Sequence, residues 1–221
     1  PTQLVHRAII YAALFYLTHQ VAANWGGPQF FSMWYPTAGV RFAALWLWGP
    51  AWILPMLLIE IAVQYFSGFV VTDQGEWAQL VSIVRAPICY GLVVYAVQFA
   101  PKFTRTNPMF LALAAMAAPA LASLSAGVWG WLNPDLPPFS SGEPPLLIAT
   151  AFLIGDLLGV ILLVPLLIWV HQRLVGPKPE NRRPRLTVAQ IAEIVAVFIS
   201  GSLLGILFLS VDASISLMPM T

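Results

Sequence analysis

Between about Ala8 and Ser210 the sequence is a succession of apolar runs of bilayer-crossing length. The longest hydrophilic interruption extends only from about Val175 to Arg185. A helix of ~20 apolar residues covers a hydrocarbon core about 30 Å thick. Lipid offers no partner for backbone N–H and C=O groups, so spanning segments must be helices or closed barrels. The composition follows from this: 59% of residues are hydrophobic and 9% charged, with a mean hydropathy of +0.81. Soluble domains carry about 25% charged residues. No stretch is long enough for a separate soluble domain, and the net charge of +1 gives no reason to expect a nucleic-acid partner.

The runs predict helices at about Ala8–Ala23, Gln79–Phe99, Met109–Trp131, Leu146–Val170 and Val188–Ser210. The region from Phe30 to Phe66 is too long for one span at ~1.5 Å per residue. Its Gly49-Pro50 step supplies a turn signal, which predicts two short helices, Pro36–Trp48 and Ala51–Phe66. The expectation is therefore an all-α, polytopic transmembrane bundle with about seven helices, forming one domain over residues 1–221. The chain opens on Pro1, so a trimmed N-terminus is expected, and no signal-peptide pattern precedes the first span.

Seven spans sort the charges. Arg7, Lys102, Arg105, Arg173, Lys178, Arg182, Arg183 and Arg185 fall on one side, eight of the ten Lys and Arg. Asp73, Glu76, Asp135, Glu143 and Asp212 fall on the other. The positive-inside rule makes the basic side cytoplasmic. The N-terminus is then inside and Thr221 outside, so an eighth helix is expected to return the chain before any cytoplasmic effector.

Five ionisable residues interrupt the spans: Arg41, Glu60, Arg85, Asp156 and Glu193. Each costs on the order of 3 kcal/mol to insert and is expected to face the bundle interior. Counted from the helix ends, Arg41, Arg85, Glu60 and Asp156 share the outer half of the bilayer, while Glu193 lies nearer the cytoplasm. Two readings stay open. The four form a structural network that fixes helix register, or they line a polar cavity where a ligand meets unpaired donors. Whether Arg41 pairs with Glu60 or Asp156 is open as well. His19 lies near the same layer. The segment Trp34-Tyr35-Pro36-Thr37-Ala38-Gly39 combines aromatic residues with a Pro and a Gly, and irregular backbone at this depth needs protein cover or a watery cavity. Trp34 and Tyr35 are therefore candidate ligand contacts.

Gly155 and Gly159, like Gly201 and Gly205, have the four-residue spacing that lets helices approach closely. Cys89 is the only cysteine and reads as a small buried hydrophobe. No histidine pair has ligand spacing, so neither a metal nor a cofactor is expected.

The block Trp34-Tyr35-Pro36-Thr37-Ala38-Gly39-Val40-Arg41-Phe42-Ala43-Ala44-Leu45 resembles the W-x-P-x-x-G block of the MASE1 family. Gly155-Asp156-Leu157-Leu158-Gly159-Val160, followed by Pro165-Leu166, resembles that family's second block. Arg41 departs from the apolar residue the family usually places there. The resemblance implies an N-terminal membrane sensory domain of about eight helices, found in bacterial histidine kinases and in enzymes of cyclic di-GMP turnover.

The leading expectation is thus a sensory input domain in the bacterial inner membrane. It would bind an unidentified small-molecule or membrane signal at Trp34, Tyr35, Arg41, Glu60, Arg85 and Asp156. It would act as a homodimer on a cytoplasmic effector in the same chain, a histidine kinase ahead of a diguanylate cyclase or phosphodiesterase. Interrupted helices with intramembrane charges also suit a secondary transporter. A membrane enzyme has least support, since no nucleophile–base pair is evident.

Overall fold

The computed structural model describes residues 2–25, 34–67, 76–100, 108–135 and 144–175. Six α-helices account for nearly all of them: α1 Thr2–Trp25, α2 Pro36–Trp48, α3 Ile53–Phe66, α4 Glu76–Gln98, α5 Pro108–Leu132 and α6 Pro145–Val175. No strand occurs among the described residues. The chain divides into two units, Pro1–Val170 and His171–Thr221. The described part of the second is the last turn of α6.

Local chemistry explains several boundaries. Helices α2, α5 and α6 each begin on a proline, whose fixed φ suits a first helical position where the missing N–H is not needed. Helix α2 stops at Gly49, whose φ of 91° and ψ of 168° lie in a region essentially reserved for glycine. The Gly49 N–H still donates to the Leu45 carbonyl at 2.9 Å, and the Gly49 carbonyl accepts from Trp52 at 3.0 Å. A 3-10 turn over Pro50–Trp52 then leads into α3. Both arms pack against α1 and α4, and their long side chains bring Arg41, before the turn, to Glu60, after it.

The span count needs correction. Three helices are both long and apolar enough to cross a membrane: Leu80–Gln98 in α4, Pro108–Leu132 in α5 and Pro145–Leu174 in α6. This is a membrane protein with a helical bundle, but its described residues hold six helices rather than the expected seven or eight. The segment expected at Val188–Ser210 lies outside the described residues, as do Glu193, Gly201 and Gly205. Helix α2 has 13 residues and α3 has 14, so each is about 20 Å long at ~1.5 Å per residue, short of a ~30 Å core. They form a hairpin of two short helices. Gln79–Phe99, Met109–Trp131 and Leu146–Val170 were each expected close to where α4, α5 and α6 lie.

Burial identifies the centre. Eleven of the 13 residues of α2, Pro36 to Trp46, are buried. Helix α2 touches α1, α4 and α5, while α1 and α4 each also touch α3. Tyr11 and Phe15 from α1, Met56 from α3, Tyr90 and Val94 from α4, and Val160 and Val164 from α6 join Phe42 and Leu45 in the core. Helix α5 is arranged inside out. Its buried face carries Ala114, Ala118, Ala122, Ala126 and Gly130 at four-residue intervals, so its neighbours approach closely. Leu113, Met116, Leu124 and Val128 are exposed, the arrangement expected where lipid surrounds the bundle.

Candidate functional site: a buried polar cluster

The N-terminus of α2 docks on α6 through glycines. The Tyr35 N–H donates to the Gly155 carbonyl at 3.0 Å. A Cβ on Gly39 would overlap the Gly159 carbonyl oxygen, and a Cβ on Gly159 would overlap the Tyr35 carbonyl. Only glycine permits this approach at both positions. It brings together Trp34–Leu45 and Gly155–Leu166, the two sequence blocks singled out above. Trp34 lies half-buried at the entrance to α2, ahead of Pro36.

Immediately beneath this crossing lies an ion pair. Arg41 donates from Nε to Glu60 Oε1 at 2.9 Å and from Nη2 to Oε2 at 2.7 Å. The side chains are 3% and 0% exposed. This settles the pairing left open by the sequence: Arg41 bonds Glu60, not Asp156. The bidentate fork matches guanidinium to carboxylate geometry, and Tyr11 adds a third bond, its hydroxyl donating to Glu60 Oε1 at 2.6 Å. A buried pair is tolerable only when further hydrogen bonds complete it.

Asp156 has a different partner. The Tyr90 hydroxyl donates to Asp156 Oδ2 at 2.9 Å. The Arg41 guanidinium stands over the Tyr90 ring, 5.5 Å from its centroid, so Tyr90 links the ion pair on α2 and α3 to the carboxylate on α6. His19 joins the periphery, with Nδ1 3.2 Å from the Tyr35 hydroxyl and its ring stacked on Phe15 at 5.7 Å.

Arg85 stands apart. Its Nη1 donates to the Ala122 carbonyl and, at 2.7 Å, to Ser125 Oγ. Ser125 also accepts from the Cys89 thiol at 3.3 Å. The structure therefore gathers Tyr35, Arg41, Glu60 and Asp156 about one centre and places Arg85 on the α4–α5 face. Tyr11 and Tyr90, which sequence reasoning missed, complete the cluster. Their signal was depth: both lie well inside helices, away from the interfaces where tyrosine ordinarily collects, and Tyr11 precedes Phe15 and His19 at helical spacing.

No family model, curated protein or solved structure matches the chain. The geometry of the cluster therefore carries the functional reading.

Proposed function

We propose that the chain is the sensory input domain of a bacterial signal-transduction protein in the inner membrane. Its N-terminus is cytoplasmic, and it works as a homodimer with a histidine kinase as the effector. The observation that carries this reading is a fully buried Arg41–Glu60 pair joined through Tyr90 to Asp156, beside a glycine crossing that fixes α2 against α6. A paired charge network in hydrocarbon has discrete alternative pairings, and such bistability turns a small local event into a helix shift. Helix α6 continues toward the cytoplasmic side as drawn by the positive-inside rule, so a shift at Asp156 would travel along it. The resemblance of the two docked blocks to the MASE1 family points the same way.

The test begins with the coding sequence beyond Thr221: a kinase or cyclic di-GMP domain there supports the reading. Autophosphorylation of the full-length protein in membrane vesicles then compares wild type with Asp156→Asn, which preserves shape while removing the charge. A changed basal or stimulated rate at unchanged expression is expected; identical activity would sink the site assignment.

The two short helices α2 and α3, of which α2 is enclosed by protein, favour a second reading, transport, because broken helices around intramembrane charges are how secondary transporters hold their cargo. Solute uptake by the chain alone in proteoliposomes would replace the sensory reading.

A further inference from the structure

Arg85 is the intramembrane charge that the buried cluster does not use. It lies in the Leu80–Gln98 span, yet it makes no ion pair with a described carboxylate. Asp156 is held by Tyr90, and the Arg41 charge is already matched by Glu60. The Arg85 Nε–H is buried without a hydrogen-bond partner, an uncommon state for a buried donor. Its Nη1, by contrast, is anchored by the Ala122 carbonyl and Ser125 Oγ. One corner of the guanidinium is thus fixed while another donor is left over.

We infer that Arg85 is the receiving end of an oxyanion site on the α4–α5 face, taking a carboxylate or phosphate group whose oxygens accept from Nε and the adjoining amine. Arginine's planar fork suits both groups. Fixing Nη1 in advance lowers the ordering cost of binding. The same oxyanion chemistry is offered by a soluble ligand and by an anionic lipid headgroup. This assignment rests on the sensory reading only in supplying it with a ligand class.

Cys89, the only cysteine in the chain, gives the site a native reporter, because it shares Ser125 with Arg85. The full 221-residue chain in uncharged maltoside micelles is reacted with a maleimide, alone and with acetate, inorganic phosphate or phosphatidylglycerol. Binding that must be released before Cys89 is exposed slows labelling by about tenfold at a probe concentration ten times its Kd. We expect such protection in the wild type, part of it in Arg85→Lys, and none in Arg85→Gln. Protection by acetate or phosphate identifies a soluble oxyanion, and protection by phosphatidylglycerol alone identifies a lipid. An unchanged rate with every probe overturns the inference, as does equal protection in Arg85→Gln.

The two proposals fail separately. Protection of Cys89 without any effector response keeps the anion site and removes the sensory reading. A normal effector response without protection does the reverse.

Discussion

Glu60 is the residue on which most of the buried charge depends. Three donors converge on it from two other helices: Tyr11 on α1 and two from Arg41 on α2. Removing its charge leaves Arg41 buried without a counter-ion, so Glu60→Gln should cost about 3–5 kcal/mol in a mixed-micelle unfolding titration. Tyr11→Phe removes one bond to a charged acceptor and should cost about 1.5–3 kcal/mol in the same assay. The double replacement Arg41→Met with Glu60→Leu should recover much of the Glu60→Gln loss, since apolar residues of similar volume often replace a buried pair without penalty. If the double variant is no more stable than Glu60→Gln, the pair is not what holds α2 to α3. At this scale the sequence disclosed which residues carry charge inside the spans, and Arg41, Glu60 and Asp156 do meet in one cluster. It did not disclose the pairing, because rise per residue gives depth but not rotation about each helix axis. Arg85 shows the same gap: its place within a span was legible, its turn toward α5 was not.

Among helices, the contrast between glycines is the sharpest test. A methyl group at Gly159 would strike the Tyr35 backbone, whereas one at Gly127 would meet only the Ala149 Cβ at 3.4 Å. Gly159→Ala should therefore undock α2 from α6 and lower stability despite the better helix propensity of alanine. Gly127→Ala should be neutral or gain up to about 1 kcal/mol from that propensity. Equal effects at both sites would mean that the crossing is not tight. Gly49 belongs to a third class. Any side chain there must adopt a glycine-only backbone, so Gly49→Ala should cost about 1–3 kcal/mol, read from the same unfolding titration. The Pro36–Trp48 helix was legible to the residue because Pro36 opens it and Gly49 ends it. The glycine crossing was half legible: the Gly155–Gly159 spacing announced a close approach, but its partner proved to be the entrance to α2. Nothing local to α6 encodes that choice, which depends on how the whole bundle closes.

For the molecule as a whole, the apolar surface points outward. Leu124 is 68% exposed while Ala122, two residues earlier, is 4% exposed, and this inversion of the soluble pattern is what hydropathy reads well. Hydropathy misread the middle of the chain, where α2 is apolar because protein encloses it and α3, though mostly unburied, is too short to span. Helix α2 in particular is shielded from lipid along most of its length. The proposed topology predicts that a cytoplasm-active reporter fused after Arg105 is active and one fused after Asp135 is not. The opposite pattern would invert the bundle and place the polar cluster in the inner half of the bilayer.

The shortness of α2 also bears on how the chain is made. A 13-residue segment with a central arginine is a poor substrate for membrane insertion, since an arginine at mid-helix adds about 2.5–3.5 kcal/mol on the insertion scale. Glu60 emerges from the ribosome only after the Gly49 turn, so α2 gains its counter-charge when α3 has been synthesised. The two helices would then enter the bilayer together as a neutral hairpin. A nascent chain halted after Trp48 would present the translocon with a cation it has no means of matching.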